Sequence, residues 1–294
     1  MTTERNSGLT LEVVIVSHGA EALLRRCLRS LAEHPISAGE MRVTVVDSGS
    51  PDGTPDMVEV EFPEVRLLRR GNIGFSAANN LVLRQTPAAA VLLLNPDTEV
   101  YAGTLDAALA RLRSEERIGM VGVKLVTESG ELDHACKRSF PTPLSALGHF
   151  TGVGGEQYRA AHLGDDEPGE VDAVNGAFML IRRAALEQVG CFDEGYWMYM
   201  EDLDLCYRLR EAGWLTWYEP TSVALHVKGG SAGRRSPRLV LAFHAGMSRF
   251  YDKHYAPNAA PGIATVVRVG IRARMLLVLI ASAPGRAWRW SSWR

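Results

Sequence analysis

LEVVIVSHGAEALLRRCLRSLAEHPISAGEMRVTVVD, residues 11–47, reads as a strand, a helix and a second strand in succession. Leu11–Ser17 (LEVVIVS) is a short β-branched run. Ala20–His34 sets Leu23, Leu24, Cys27, Leu28 and Leu31 on one stripe at helical spacing. Met41–Asp47 (MRVTVVD) repeats the strand pattern. The alternation continues outward. The turn-rich SGSPDGTPD follows Asp47, Val65–Arg69 is a third short strand, and Gly74–Gln85 is a helix opened by a glycine-containing loop. Ala90–Leu94 (AVLLL) is a wholly apolar fourth strand ended by Asn95-Pro96-Asp97, and Thr104–Ser114 is a helix. Strands alternating with helices predict an α/β fold built on a mostly parallel, doubly wound sheet. Continuous apolar strands suit a sheet covered on both faces.

The second half is less regular. Gly119–Val126 reads as a strand, and Arg138–Asp172, rich in Gly, Pro and Asp, as a long loop. Val174–Arg182 (VNGAFMLIR) is a strand, Asp202–Ala212 an amphipathic helix, and Leu215–Trp217 and Val223–Val227 two short strands. Leu239–His254 and Ile263–Ile280 are helical. No internal repeat or low-complexity tract is present.

Composition narrows the function classes. The 294 residues are 46% hydrophobic and 22% charged, an ordinary globular balance. Aromatics at 7% argue against a large carbohydrate-binding all-β surface, and a net charge of −2 gives no reason to expect nucleic acid. Cys27, Cys136, Cys191 and Cys206 match no zinc framework and read as small buried hydrophobes in a reducing compartment. Met1–Thr10 lacks the apolar core of a signal peptide, and no apolar run reaches the roughly 18–20 residues that span a bilayer. These features predict a cytoplasmic protein.

In an open α/β sheet, ligands bind beyond the carboxyl ends of the strands. Those ends carry Ser17-His18-Gly19, Asp47-Ser48-Gly49-Ser50, Gly71-Asn72-Ile73-Gly74 and Asn95-Pro96-Asp97. Any one of them is ordinary turn chemistry; four together predict one polar crevice. No Gly-x-Gly-x-x-Gly follows the first strand and no Walker lysine loop exists, which disfavours a dinucleotide oxidoreductase and a P-loop NTPase. Acidic strand ends suit a nucleotide held by base and ribose, its diphosphate neutralised by Mg²⁺ or Mn²⁺. Asp97 can supply an oxygen ligand, although an aspartate in NPD also serves as a turn or cap residue.

VVDSGSPDGT, GNIGFSAANN, LLLNPDT, NGAFMLIRR, FDEGYWMYMEDLDLCYRLREAGW and LHVKGGS occur in one order between about Leu11 and Gly230. This series resembles the inverting glycosyltransferases of family 2, which have the nucleotide-sugar-binding fold called GT-A, and within them the bacterial rhamnosyltransferases. The resemblance implies a sugar moved from a nucleotide-sugar donor to a hydroxyl of a glycan or polyprenyl-diphosphate-linked acceptor. The best expectation for the donor is dTDP-L-rhamnose, with a UDP- or GDP-sugar as the alternative and a nucleotidyltransferase as a remoter one. It places a GT-A domain at residues 1–232, with a nucleotide-binding half at about 9–117 and an acceptor and catalytic half at about 118–232. Residues 233–294 follow as a helical, basic segment.

Residue by residue, the resemblance makes Asp202 the general base. Ser17, Gly19, Asp47, Asn72, Gly74, Asn79 and Asn95 line the nucleotide-sugar pocket. Asp97 and His226 hold the divalent cation, Mn²⁺ or Mg²⁺, with Asn95 standing where relatives carry the first acid of an Asp-x-Asp pair. Glu201, Asp202 and Asp204 begin a helix, where the dipole favours carboxylates, so capping is the competing explanation. Trp197, Glu201, Arg234 and Arg235 are expected to contact the acceptor or a diphosphate. Seven basic residues and no acidic one follow Asp252, and Trp288, Trp290 and Trp293 lie near the end. That composition predicts peripheral contact with an anionic membrane face, with packing into a homo-oligomer as the alternative.

Overall fold

Residues 9–141, 160–227 and 236–281 are described by the computed structural model. The opening βαβ unit forms as its pattern predicts: β1 (Leu9–Ser17), α1 (Glu21–Glu33) and β2 (Glu40–Ser48). The chain continues through α2 (Thr54–Glu61), β3 (Arg66–Arg70), α3 (Phe75–Leu83) and β4 (Ala90–Leu94). Then come β5 (Thr98–Val100), α4 (Thr104–Ser114) and β6 (Ile118–Val126). The second half supplies β7 (Lys137–Arg138), β8 (Gly169–Glu170), β9 (Ala173–Val174) and β10 (Phe178–Arg182). It ends with α5 (Arg183–Val189), α6 (Glu201–Glu211), β11 (Leu215–His226), α7 (Pro237–His254) and α8 (Ile263–Ala281).

The main sheet runs in the order β3-β2-β1-β4-β10-β6-β11-β5, with β8 added on β11. β3, β2, β1 and β4 are mutually parallel, as are β6 and β11, while β10 is antiparallel to both its neighbours. The sheet is mostly parallel, as the alternation of strands and helices predicts. Every residue of β4 is buried, which explains its wholly apolar sequence. Glu12 is the polar exception inside β1. It is tolerated because Thr44 Oγ1 (2.7 Å), Thr86 Oγ1 (2.9 Å) and Arg42 Nε (2.8 Å) all donate to its carboxylate. Cys27, Cys136 and Cys206 are buried and all four thiols are free; burial pushes the Cys206 thiol up to about 12, so it stays neutral.

Several segments differ from their sequence reading. The stretch read as turn-rich after Asp47 runs into the first turn of α2, because Asp52 accepts from the Thr54 amide at 3.2 Å and Pro55 fits a first helical turn. The strand expected at Val174–Arg182 begins at Phe178; Asn175–Ala177 is a turn in which Asn175 Oδ1 accepts from the Ala177 amide at 2.9 Å. Leu215–Trp217 and Val223–Val227 are one strand, β11, whose register shifts between Glu219 and Val223 around Pro220. Arg138–Asp172 is not simply a loop: Arg138 ends β7, which pairs with β9 just beyond the segment, and β8 within it pairs with β11; residues 142–159 lie outside the described residues. Among the described residues, no helix is long and apolar enough to cross a membrane.

Candidate active site

β1, β2, β3, β4, β6 and β11 all end on the same edge of the sheet, and β5 and β10 begin there. The in-register pairs Ser17↔Asp47 and Asp47↔Arg69 line up the first three ends. Asp47 is buried, and its carboxylate accepts the Ser50 amide at 3.3 Å. Ser17 is buried with its Oγ lacking a hydrogen-bond partner. Gly19 sits at φ +63°, and its amide donates to Ser50 Oγ at 2.9 Å. A Cβ at Gly49 would come within 3.3 Å of the Asn72 amide, so the loops after β2 and β3 touch. Ser17, Gly19, Asp47 and Asn72 are thus brought together.

Gly74 has a different setting. At φ +93°, its position is closed to side chains: a Cβ there would lie 2.5 Å from Trp197 Cδ1. The Phe75 amide donates to Trp197 O at 2.8 Å, so the loop before α3 is tied to the segment before α6. Trp197 carries the Arg238 guanidinium 4.1 Å from its ring centroid. Asn79 is buried and donates to Phe75 O at 2.9 Å, within its own helix.

The second half of the site forms across β5 and β11. Their pairing sets His226 against Thr98, which brings His226 Nε2 to 3.6 Å from Asp97 Oδ1. His226 Nδ1 is bonded to Asp133 Oδ2 at 2.9 Å. Burial alone would lower the His226 pKa, but the hydrogen bonds and charges of Asp133 and Asp97 outweigh it and raise it to about 9. Asn95 lies beside this pair, its amide bonded to Ala177 O at 3.1 Å.

Asn175–Ala177 joins the two sides of the site. Ala177 O holds Asn95, and a Cβ at Gly176 would lie 3.8 Å from Asp202 Oδ2. Asp202 therefore stands across one short turn from Asn95-Pro96-Asp97. It is the second residue of α6, which Glu201 opens directly after Tyr199 and Met200, both non-glycine residues at positive φ (71° and 72°). Two such residues in a row store strain that the surroundings must hold in place. Gly246 of α7 is part of that hold, since a Cβ there would lie 2.9 Å from Tyr199 O. The Arg138 guanidinium donates to Asp202 Oδ2 at 2.5 Å. Glu201 is buried, its Oε2 has no hydrogen-bond partner, and burial followed by the Asp202 charge holds its pKa well above the usual carboxylate range.

Asp204 points the other way. Its carboxylate meets Lys253 Nζ at 2.7 Å, His254 Nε2 at 2.8 Å and Arg208 Nε at 2.8 Å. Burial would raise its pKa, but these three groups drive it below the usual range. Arg234 and Arg235 lie outside the described residues. Sequence reasoning missed Asp133 and Arg138. Both are set in LDHACKR, a stretch with no periodicity, and each meets its partner from far along the chain.

Residues 9–239 match the family described as glycosyltransferase like family 2. An N-acetylglucosaminyl-diphospho-decaprenol L-rhamnosyltransferase of Mycobacterium tuberculosis is 35% identical over an alignment covering 85% of this chain and 87% of that protein. The rhamnosyltransferase WbbL of Escherichia coli K12 is 26% identical, covering 73% of this chain and 82% of its own. Among solved structures, a mannosyltransferase of Pyrobaculum calidifontis in complex with GDP-Man and Mn²⁺ superposes with a TM-score of 0.61 at 18% identity. That match covers 96% of this chain and 77% of the other, and it shows the shared fold.

Proposed function

The chain belongs to the glycosyltransferase-like family 2, and from that premise we propose that it moves L-rhamnose from dTDP-L-rhamnose to a hydroxyl of a polyprenyl-diphosphate-linked sugar. The setting is cell-wall or surface-polysaccharide assembly. The 35% identical rhamnosyltransferase supports L-rhamnose as the sugar and a polyprenyl-diphosphate-linked sugar as the acceptor class. The observation that carries the chemistry is the placement of Asp202 across the Asn175–Ala177 turn from Asn95-Pro96-Asp97. A base and a diphosphate-binding acid on opposite sides of one crevice suit a single in-line displacement. The acceptor oxygen bonds to the anomeric carbon with inversion, the bond from that carbon to the phosphate oxygen breaks, and dTDP leaves. Asp202 takes the acceptor hydroxyl proton.

Ser17, Gly19, Asp47, Asn72, Gly74, Asn79 and Asn95 would bind the donor nucleotide and sugar. Asp47 offers a carboxylate to base or ribose, and the loop at Gly74, braced by Trp197, shapes the sugar side. Glu201, Trp197, Arg234 and Arg235 would meet the acceptor or a diphosphate.

Asp97 and His226 suit a divalent ion. The imidazole presents Nε2 to the carboxylate while Asp133 holds Nδ1, the arrangement that orients a metal-bound histidine. Among the described residues no group of three or more His, Cys, Asp or Glu is arranged to hold a metal, so the donor diphosphate and water must complete the shell. Bound there, Mn²⁺ or Mg²⁺ supplies charge neutralisation for the leaving diphosphate.

The acceptor class also gives the C-terminal helices a role. α8 packs on α7 through buried Ile271, and Arg268 reaches Asp252 at 2.8 Å. Its outward face carries Val266, Val269, Leu276, Leu277 and Ile280, each more than half exposed. With Arg272 and the acid-free basic tail beyond, this face would lie at the inner surface of an anionic membrane, each basic residue adding about 1 kcal/mol.

A donor screen by nucleotide release tests the reading. Purified protein and a polyprenyl-diphosphate-linked N-acetylglucosamine should release dTDP from dTDP-L-rhamnose faster than nucleotide from UDP- or GDP-sugars. Excess chelator should stop it and Mn²⁺ restore it. Faster release from a UDP- or GDP-sugar overturns the donor, and full activity in chelator removes the metal role of Asp97 and His226.

A further inference from the structure

Asp202 does not stand alone: the Leu203 amide of its own helix donates to Oδ1 at 2.8 Å, and what holds Oδ2 comes from outside that helix. Arg138 lies in β7, in register with Ala173 of β9. The same Nη2 that donates to Asp202 Oδ2 at 2.5 Å also donates to the backbone carbonyl of Val174. Residues on both sides of Arg138 are anchored. Lys137 Nζ donates to Leu163 O and Gly164 O at 2.5 and 2.8 Å. Phe140 packs edge-on against Tyr207 of α6, ring centroids 5.1 Å apart, and its amide donates to Asp172 at 2.9 Å. The guanidinium is therefore built into place between the small sheet and α6.

Two acids compete at that corner, Glu201 and Asp202, adjacent in sequence and both buried. Two neighbouring carboxylates out of water cannot both carry charge cheaply. Of these two acids, Asp202 accepts from the guanidinium, whereas Glu201 Oε2 has no hydrogen-bond partner. Among the described residues, the other charged or titratable groups around the corner are Asp204 and Cys206 on α6 and Tyr199 just before it, whose hydroxyl is held neutral by burial and the Glu201 charge. Asp204 is neutralised by Arg208, Lys253 and His254, and Cys206 is a buried neutral thiol. The Asn175–Ala177 turn brings no titratable side chain.

We infer that Arg138 is the positioning residue of the transfer reaction: it holds the Asp202 carboxylate in one orientation and makes it, rather than Glu201, the anionic member of the pair. This rests on the proposed role of Asp202 as base. The same short segment also carries Asp133, so residues 133–138 brace both the His226 imidazole and the base.

Two measurements test it, one of them free of substrate. Carboxyl ¹³C NMR titration of the protein, with Asp202 assigned from D202N, reads its protonation directly. In Arg138→Gln the Asp202 midpoint should move to higher pH, because the stabilising cation is gone. In Arg138→Lys, which keeps the charge, it should move less. Steady-state kinetics across pH should then show R138Q losing about 10²-fold in kcat with KM little changed, the scale expected when a reacting group is misplaced. The acid limb of its profile should shift to higher pH. An unmoved Asp202 midpoint, or a loss confined to KM, overturns the inference and makes Arg138 a structural or diphosphate-contacting residue. If the wild type transfers no sugar, the proposed function fails, while the titration still decides whether Arg138 selects the ionised acid.

Discussion

The two sides of α6 treat their carboxylates in opposite ways. On the side facing α7, Asp204 is saturated, with Arg208, Lys253 and His254 on its oxygens and Tyr196 Oη at 3.3 Å. On the side facing the crevice, Asp202 meets one guanidinium and the Leu203 amide, and Glu201 Oε2 has no hydrogen-bond partner. All three acids open the same helix and favour its positive end. The difference separates a carboxylate used to tie elements together from carboxylates left available for chemistry. A saturated buried ion has no lone pair to spare for a substrate proton. An under-satisfied one costs stability, and that cost suits a functional site.

The strongest way to break this comparison is Asp202→Asn. The amide keeps the shape and cannot take the proton, so kcat should fall about 10²–10⁴-fold, the usual worth of a general base. Thermal melts and nucleotide titration should show a folded protein that still binds donor. Turnover within a few-fold of wild type would remove Asp202 from the chemistry.

Asp204→Asn should do the reverse and strike stability first. Removing one partner of a buried ion cluster costs about 3–5 kcal/mol; part-exposed Lys253 puts this site near the lower figure. The wild type should show the same dependence in acid. The pKa of Asp204 is lowered in the folded state, so its stabilisation is complete above the unfolded value. It is lost as pH falls toward the folded one. Denaturant unfolding from pH 6 down to pH 3 should show wild type losing stability faster than D204N. Parallel curves would mean that the cluster contributes little.

The smallest effect sharpens the crevice side. The pKa of Glu201 is raised by burial, so folding takes up a proton there. Wild-type stability therefore declines as pH rises above the unfolded carboxylate value and through the folded one. Glu201→Gln has no charge to bury. Its unfolding free energy should gain on wild type between pH 5 and pH 9, by on the order of 1–3 kcal/mol at the top, the cost of leaving a buried group unsatisfied. A constant difference across that range would mean that Glu201 is ionised with a partner.

What could be read from sequence is what local chemistry encodes. LEVVIVS, MRVTVVD and AVLLL declare buried parallel strands because each must be apolar over its own length, and Ser17, Asp47 and Asn95-Pro96-Asp97 mark their ends. The order of the motifs carried the family and named Asp202, Asp97 and His226 as the residues to inspect. α2 was hidden because its first turn is made of the same Asp, Pro, Gly and Thr that make loops, and the Asn175–Ala177 turn because it sits in an apolar run. Which acid is paired and which is left open was decided by tertiary structure alone. Arg138 reaches Asp202 across 64 positions, Asp133 reaches His226 across 93, and Lys253 and His254 reach Asp204 from a later helix. Such pairs follow from strand order and helix docking, which bring distant segments to one edge of the sheet. No periodicity records them, because a charge–charge contact constrains the positions of two side chains in space and not their separation along the chain.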